Sequence, residues 1–304
     1  MILLSDSLKK IQSIMDYNIV REKTIKYLAL SASNIDDDAC IFIDNIKYIT
    51  DIESNVRMII TTNELATLLT DTQYGICVTK EPRVLFFELH NLLGSNSNYI
   101  RKKIATQIGQ NCSISNLASI SDYNVKIGNN VIIEEFVVIR ENTEIEDDVI
   151  IRAGVVIGGE GYEFKRTDKY ITGVKHLGGV KIGQGVEIQY NTCVDKAVYP
   201  WDDTIIGEYS KIDNLVHIAH AVKISSNVMI VALSGIGGRT VIKEDTWIGF
   251  GAIITNGIEI GTNSRANMGS VVTKSIPDNS SYSGNFAIEH SKFINHMKKI
   301  VKEN

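Results

Sequence analysis

The sequence predicts a mainly β protein: a parallel β-helix, preceded by a small α/β domain and followed by a helix. Three observations carry this. A six-residue period runs through the chain after residue 100. Strand and helix patterns alternate before it. The last stretch, AIEHSKFINHMKKIVKEN, has helical spacing at Ile288, Phe293, Ile294, Met297, Ile300 and Val301.

From Ile206 to Val272 every sixth position is isoleucine, except Ala266 and Val272 themselves. An earlier run repeats the pattern from Ile127 through Ile133, Ile139, Ile145 and Ile151 to Ile157, after a weaker start at Ile108, Ile114 and Ile120. Two residues before the later isoleucines stand Val216, Val222, Val228, Ser234, Thr240, Thr246 and Ala252. Side chains alternate across a strand, so both positions of each hexad point inward. Stacked coils then bury an aliphatic column that no single repeat could bury alone. An antiparallel sandwich has period two and would not select every sixth residue for isoleucine.

Two segments break the period: GGEGYEFKRTDKYITGVKHLGGV at 158–180 and DKAVYPWDD at 195–203. Insertions in a solenoid leave as loops and often line the binding face. The first carries Tyr162, Phe164 and Tyr170 among charges, which suits a lid.

Before residue 100, ACIFIDNIKYI reads as a strand running into a turn. VRMIITT precedes a helical NELATLL, and YGICVT precedes EPRVLFFELHNLL. Pro82 suits a first helical turn, where its missing N–H costs nothing. Two strand–helix units imply a small α/β domain. With GSNSN at 94–98 as a linker, the expected domains are 1–100 (α/β), 101–280 (β-helix) and 281–304 (C-terminal helix). Lys298, Lys299 and Lys302 fall in the final turns of that helix, where cations suit the helix dipole.

A net charge of -5 with no block of like charge argues against nucleic acid as a partner. A basic pocket for a small phosphate stays open. Cys40, Cys77, Cys112 and Cys193 lie far apart with no zinc spacing, and read as reduced thiols of a cytoplasmic protein. Neither a signal peptide nor a transmembrane segment is expected.

DNLVHIAHAVKIS, at 213–225, holds two histidines. His217 alternates with inward Val216 and Ile218, so it faces outward as a surface or subunit-interface residue. A metal pair is not expected: three residues along a strand turn the two rings to opposite faces, and no third ligand is evident. A three-sided coil of hexads closes every 18 residues. That register sets Gly238 one coil along from His220 on the same side, about 4.8 Å away.

The hexad pattern resembles the hexapeptide-repeat acyltransferases, and within them the LpxD-type N-acyltransferases. Four stretches carry the likeness in order. FIDNIKY matches the family's FxxNxKY, and HLGGVKIGQGVEIQYNTCVDKA the segment after its long loop. KIDNLVHIAHAVKIS matches the segment with the catalytic histidine, and YSGNFAIEHSKF the exit into the C-terminal helix. The resemblance implies a left-handed β-helix, a homotrimer and a uridine-binding N-terminal domain. It also implies transfer of an acyl chain from a carrier thioester to an amine on a nucleotide-linked glucosamine. By the same likeness His220 is the general base, Asp213 its orienting carboxylate, and the Gly238 N–H the oxyanion donor. Phe42 and Tyr48 would clamp the nucleotide base and Asn45 would bond its edge. Phe42 equally fits the inward position of a plain strand. No permanently bound cofactor is implied; acyl-CoA or an acyl carrier protein thioester is the co-substrate.

A neutral imidazole suits this chemistry because its ordinary pKa lies near working pH. A carboxylate on its other nitrogen would fix the tautomer.

Three departures bear on the substrates. Gly257 stands where the family has a second histidine, AVYPWDD is long and brings in Trp201, and the chain stops soon after one helix. They point to a paralogue acylating a nucleotide-linked amino sugar for a surface glycan. The lipid A enzyme, UDP-3-O-acylglucosamine N-acyltransferase, is the alternative. A noncatalytic homologue that binds a nucleotide sugar is a third reading.

Overall fold

The computed structural model describes the chain except for residues 11–14, 32, 34, 51, 70–72, 168–169, 285–286, 288 and 303–304. Ile288 of the expected helix therefore lies outside the described residues. The helix itself spans His290–Lys302.

The hexads fold as expected into a parallel β-helix, and it is left-handed. Its three faces are sheets of nine, eight and eight short strands among the described residues. One face stacks Ile212, Ile230 and Ile248; the next Ile218, Ile236 and Ile254; the third Ile206, Ile224 and Ile242. In the uninterrupted part, partners across each ladder are 18 residues apart. The isoleucines and the residues two before them form one buried column running from Val125 to Ile276. Inward Ser210, Ser234, Thr240, Thr246 and Ser264 are buried too. Their hydroxyls bond backbone carbonyls, as Ser234 does to Val231 and Gly249, so polar groups inside the column are satisfied.

Most corners are turned by a residue in the left-handed region, among them Ala221 (φ 59°) and Arg239 (φ 60°). These corners stack: the Arg239 N–H donates to the His220 carbonyl, and the Gly257 N–H to the Gly238 carbonyl.

Ahead of the solenoid sits a five-stranded sheet in the order 18–21, 75–78, 56–61, 39–43, 27–28. Its first pair is antiparallel and the others are parallel. The expected strands appear as Ala39–Ile43, Val56–Thr61 and Gly75–Val78, and the long helix as Pro82–Leu93 with proline in its first turn. Residues 94–98 form a hydrogen-bonded turn that leads into fully buried Tyr99.

Both insertions bind this sheet to the solenoid. In the 195–203 loop, the Tyr199 and Trp201 rings stack at 5.4 Å, and Trp201 Nε1 donates to the Leu28 carbonyl at 2.9 Å. From helix 82–93, buried His90 reaches the Tyr99 hydroxyl at 3.0 Å and the Lys175 carbonyl at 2.9 Å. Burial pushes the His90 imidazole down to about 4.

Candidate active site

The strand register explains why one corner carries the chemistry. Val156 and Ile157 pair with Cys193 and Val194, which pair with His217 and Ile218, which pair with Gly235 and Ile236. The turn after this face leads in successive coils into the 158–178 strap, the 195–203 loop, His220, Gly238 and Gly257. Both insertions therefore leave from the corner that holds His220.

His220 is 7% exposed and lies directly against Gly238. A Cβ built on Gly238 would stand 2.7 Å from His220 Nε2, so only glycine lets the imidazole settle there. Thr204 steadies this corner from beneath. Its hydroxyl donates to the Asp195 carbonyl at 2.6 Å and accepts from the Ala221 N–H at 2.8 Å.

Asp213 is not the partner of His220. It follows the face of Ile212, whereas His220 follows the face of Ile218, so the two stand at different corners. The Asp213 carboxylate accepts from the N–H groups of Asn214 (2.7 Å) and Ala232 (3.1 Å). It holds two coils together rather than an imidazole.

The carboxylate that does reach His220 comes from the strap. Glu163 Oε2 lies 3.2 Å from His220 Nε2 and 3.6 Å from an Arg239 guanidinium nitrogen. Lys165 Nζ bonds the other carboxylate oxygen. Burial by itself would raise the Glu163 pKa. The His220 and Lys165 hydrogen bonds outweigh it and hold the carboxyl at about 2. The strap then turns back as a hairpin, Phe164–Arg166 against Ile171–Gly173. Just ahead of the hairpin, Tyr162 is 89% exposed.

Two more groups close on the imidazole. His176, at the strap's return, is 2% exposed with its ring 5.5 Å from that of His220. Its Nδ1 donates to the Val174 carbonyl at 3.1 Å, which leaves Nε2 as the lone-pair nitrogen. Burial, then the neighbouring His220, lowers its pKa to about 4. Asp195 is buried as well, and desolvation raises its pKa. Gly161 passes between these groups. A Cβ there would meet Asp195 Oδ2 and His176 Nε2 at 3.0 Å and His220 Nδ1 at 3.1 Å. His220 Nδ1 and His176 Nε2 are buried without a hydrogen-bond partner among the described residues.

His217 faces outward as its alternation requires, yet it is not idle. Its Nε2 is 3.7 Å from Asp195 Oδ2, and it lines a cleft of about 640 Å³ with Cys193, Asp195, Tyr162, Glu163 and Phe164. A second cleft, of about 420 Å³, lies between the N-terminal sheet and the solenoid. Phe42, Tyr48 and Phe87 give it aromatic walls, and Arg83, Lys165 and Arg239 give it positive charge. Glu163 lines both clefts.

Phe42 packs as a strand residue and also lines the second cleft. It packs on Phe86 (5.0 Å between centroids), and its ring is also covered by the Arg83 guanidinium at 5.5 Å. Asn45 does not line the cleft: it is exposed and caps the 46–48 turn by accepting from the Lys47 N–H at 3.1 Å. Sequence reasoning missed Glu163, His176, Asp195 and Arg239. The last two could have been found from the register, since they flank His220 and Gly238 on neighbouring coils. No group of His, Cys, Asp and Glu suited to a metal ion occurs among the described residues. No helix there is long and apolar enough to cross a membrane.

Comparison with known proteins agrees with this architecture. The bacterial transferase hexapeptide (six repeats) family matches residues 124–159, and the hexapeptide repeat of succinyl-transferase matches 239–274. A UDP-3-O-acylglucosamine N-acyltransferase of Caulobacter sp. (strain K31) is 36% identical over 140 residues, covering 46% of this chain and 41% of that protein. The protein so named in Rickettsia conorii is 45% identical over 98 residues, covering 32% of this chain and 28% of that protein. The chain thus spans less than half the length of these curated relatives. Among solved structures, the UDP-N-acetylglucosamine acyltransferase of Campylobacter jejuni superposes with a TM-score of 0.52 at 23% identity, covering 60% of this chain and 68% of that one. The chain is a left-handed parallel β-helix protein with two stretches that match hexapeptide-repeat families, and over nearly half its length it is similar to UDP-3-O-acylglucosamine N-acyltransferases.

Proposed function

We infer that this protein is an N-acyltransferase that moves an acyl group from a thioester, acyl-CoA or acyl carrier protein, to the amine of a nucleotide-linked amino sugar. The observation that carries the reading is a single corner with an imidazole seated on a glycine, His220 on Gly238, beside a cleft with aromatic walls and three cations. An aromatic wall suits a nucleobase, and Arg83, Lys165 and Arg239 suit a diphosphate. Arg239 would thereby cover the phosphate-handling task that a histidine at Gly257 would otherwise serve.

In this reading the sugar amine attacks the thioester carbonyl, and a new C–N bond forms. The carbonyl oxygen becomes negative and is met by the Gly238 N–H. His220 takes the proton from the nitrogen and passes it to the departing thiolate as the C–S bond breaks. The work is cytoplasmic, and the assembly is a homotrimer.

The test is purified protein, acyl-CoA and acyl carrier donors, and a panel of UDP- and dTDP-linked amino sugars. Turnover that disappears in His220→Ala, with the solenoid's circular dichroism intact, supports the reading; unchanged turnover sinks the base assignment. Similarity to proteins named UDP-3-O-acylglucosamine N-acyltransferase favours one second reading, the lipid A reaction. Efficient transfer only from a long-chain acyl carrier to UDP-3-O-acylglucosamine would establish that reading in place of the surface-glycan one. Nucleotide binding without turnover on any donor would establish the noncatalytic one.

A further inference from the structure

Glu163 stands where a substrate anion and a substrate amine would both need to be. One carboxylate oxygen holds Lys165, and the other faces Arg239, these being two of the three cations of the 420 Å³ cleft. The oxygen that faces Arg239 also contacts His220 Nε2, the ring nitrogen that lies against Gly238. Because Glu163 lines both clefts, its carboxylate is the partition between them. It rides on the strap rather than on a solenoid strand, so it can leave without disturbing the column. Gly161, two residues back, fills the space among Asp195, His176 and His220, and a withdrawing strap would open that space too.

We propose that Glu163 is a specificity latch: an internal anion that closes the site until the diphosphate of the acceptor replaces it on Arg239 and Lys165. This rests on the acceptor class of the proposed function and adds how that class is selected. A diphosphate carries more charge than one carboxylate and can take both cations at once. Once Glu163 has lost them, its remaining contact is His220, and moving off frees Nε2 for the amine. A free amino sugar brings no anion, leaves the latch in place and meets a blocked base. A carboxylate that merely oriented His220 would need neither Lys165 nor Arg239, and would not separate two clefts.

The test uses the full chain and its Glu163→Gln variant. The first readout is the rate at which diethylpyrocarbonate modifies His220, resolved from His217 by peptide mass spectrometry. The second is the dissociation constant for UDP and for inorganic pyrophosphate. Opening the latch should speed His220 modification at least about fivefold and tighten both ligands about three- to tenfold, because the apparent constant scales with the open fraction. Glu163→Ala must move both readouts in the same direction, with circular dichroism confirming an intact solenoid. Unchanged His220 reactivity would overturn the proposal, and so would faster modification with UDP bound no more tightly. A loss of kcat with UDP affinity unchanged would make Glu163 a positioning residue instead. If wild-type protein binds UDP and the variant binds it no better, only the latch falls. If neither protein binds UDP, the proposed function falls and the latch's ligand with it.

Discussion

The imidazole of His220 rests on the backbone of Gly238 at the one corner where the solenoid's two insertions also emerge. A methyl group on Gly238 would stand 2.7 Å from Nε2, and the ring is the softer of the two neighbours. Gly238→Ala is therefore expected to swing the imidazole aside while the column beneath stays packed. Turnover should fall on the order of a hundredfold, comparable to losing an oxyanion donor, with unfolding free energy changed by less than about 1 kcal/mol. Steady-state kinetics and urea denaturation check the two halves. Wild-type turnover in the variant would show that the seat under His220 does not matter.

Thr204 offers a test from below the site. Thr204→Val removes a hydroxyl that bonds the Asp195 carbonyl and the Ala221 N–H inside the solenoid. Two buried backbone groups then lose their partner, at a cost of about 1–3 kcal/mol. Because Ala221 follows His220 directly, kcat should drop more than substrate affinity does. Equal stability of variant and wild type would contradict the assigned bonds.

Stability should weaken toward acid. His90 sits near 4 in the fold against about 6.5 for an ordinary histidine, so between these values the unfolded chain binds the extra proton. The stability from neutral His90 is full above about pH 6.5 and is lost as pH falls toward 4, roughly 2 kcal/mol between pH 8 and pH 5. His176, also held near 4, adds in the same direction. Denaturation of His90→Gln across that range should show a flatter slope than wild type. Parallel slopes would refute it.

Trp201 tests the brace. Trp201→Ala removes a ring stacked on Tyr199 and the hydrogen bond to Leu28. A loss of about 2 kcal/mol is expected for a partly buried ring, concentrated in the N-terminal sheet. Hydrogen exchange should quicken across residues 27–43 while the solenoid stays protected. UDP should also bind less well, since Phe42 sits on that sheet, Tyr48 on the turn that follows its strand, and Arg239 on the solenoid. Uniform loosening of the whole chain would argue against a local brace.

The solenoid was legible because its constraint repeats. One inward isoleucine every sixth residue leaves only the coil count to the coordinates, and the 18-residue closure sets Gly238 against His220. The same arithmetic, applied to Asp213, puts it seven residues from His220 and so at the neighbouring corner. The likeness to known enzymes suggested that partner; the register did not. Glu163 was not legible, because the period stops where its strap begins and no spacing rule says where a loop returns. His176 shares that difficulty. Asn45 has a local task that the motif did not show, capping a three-residue turn through its amide oxygen.

The ladder also behaves as a ruler. His220, Gly238 and Asn256 fall on successive graduations about 4.8 Å apart along the solenoid axis. A molecule that touches all of them must lie lengthwise along that axis. A whole graduation of 18 residues could be added beyond Gly257 without shifting those below it. The far end can thus lengthen in discrete steps while the corner that holds His220 and Gly238 stays fixed.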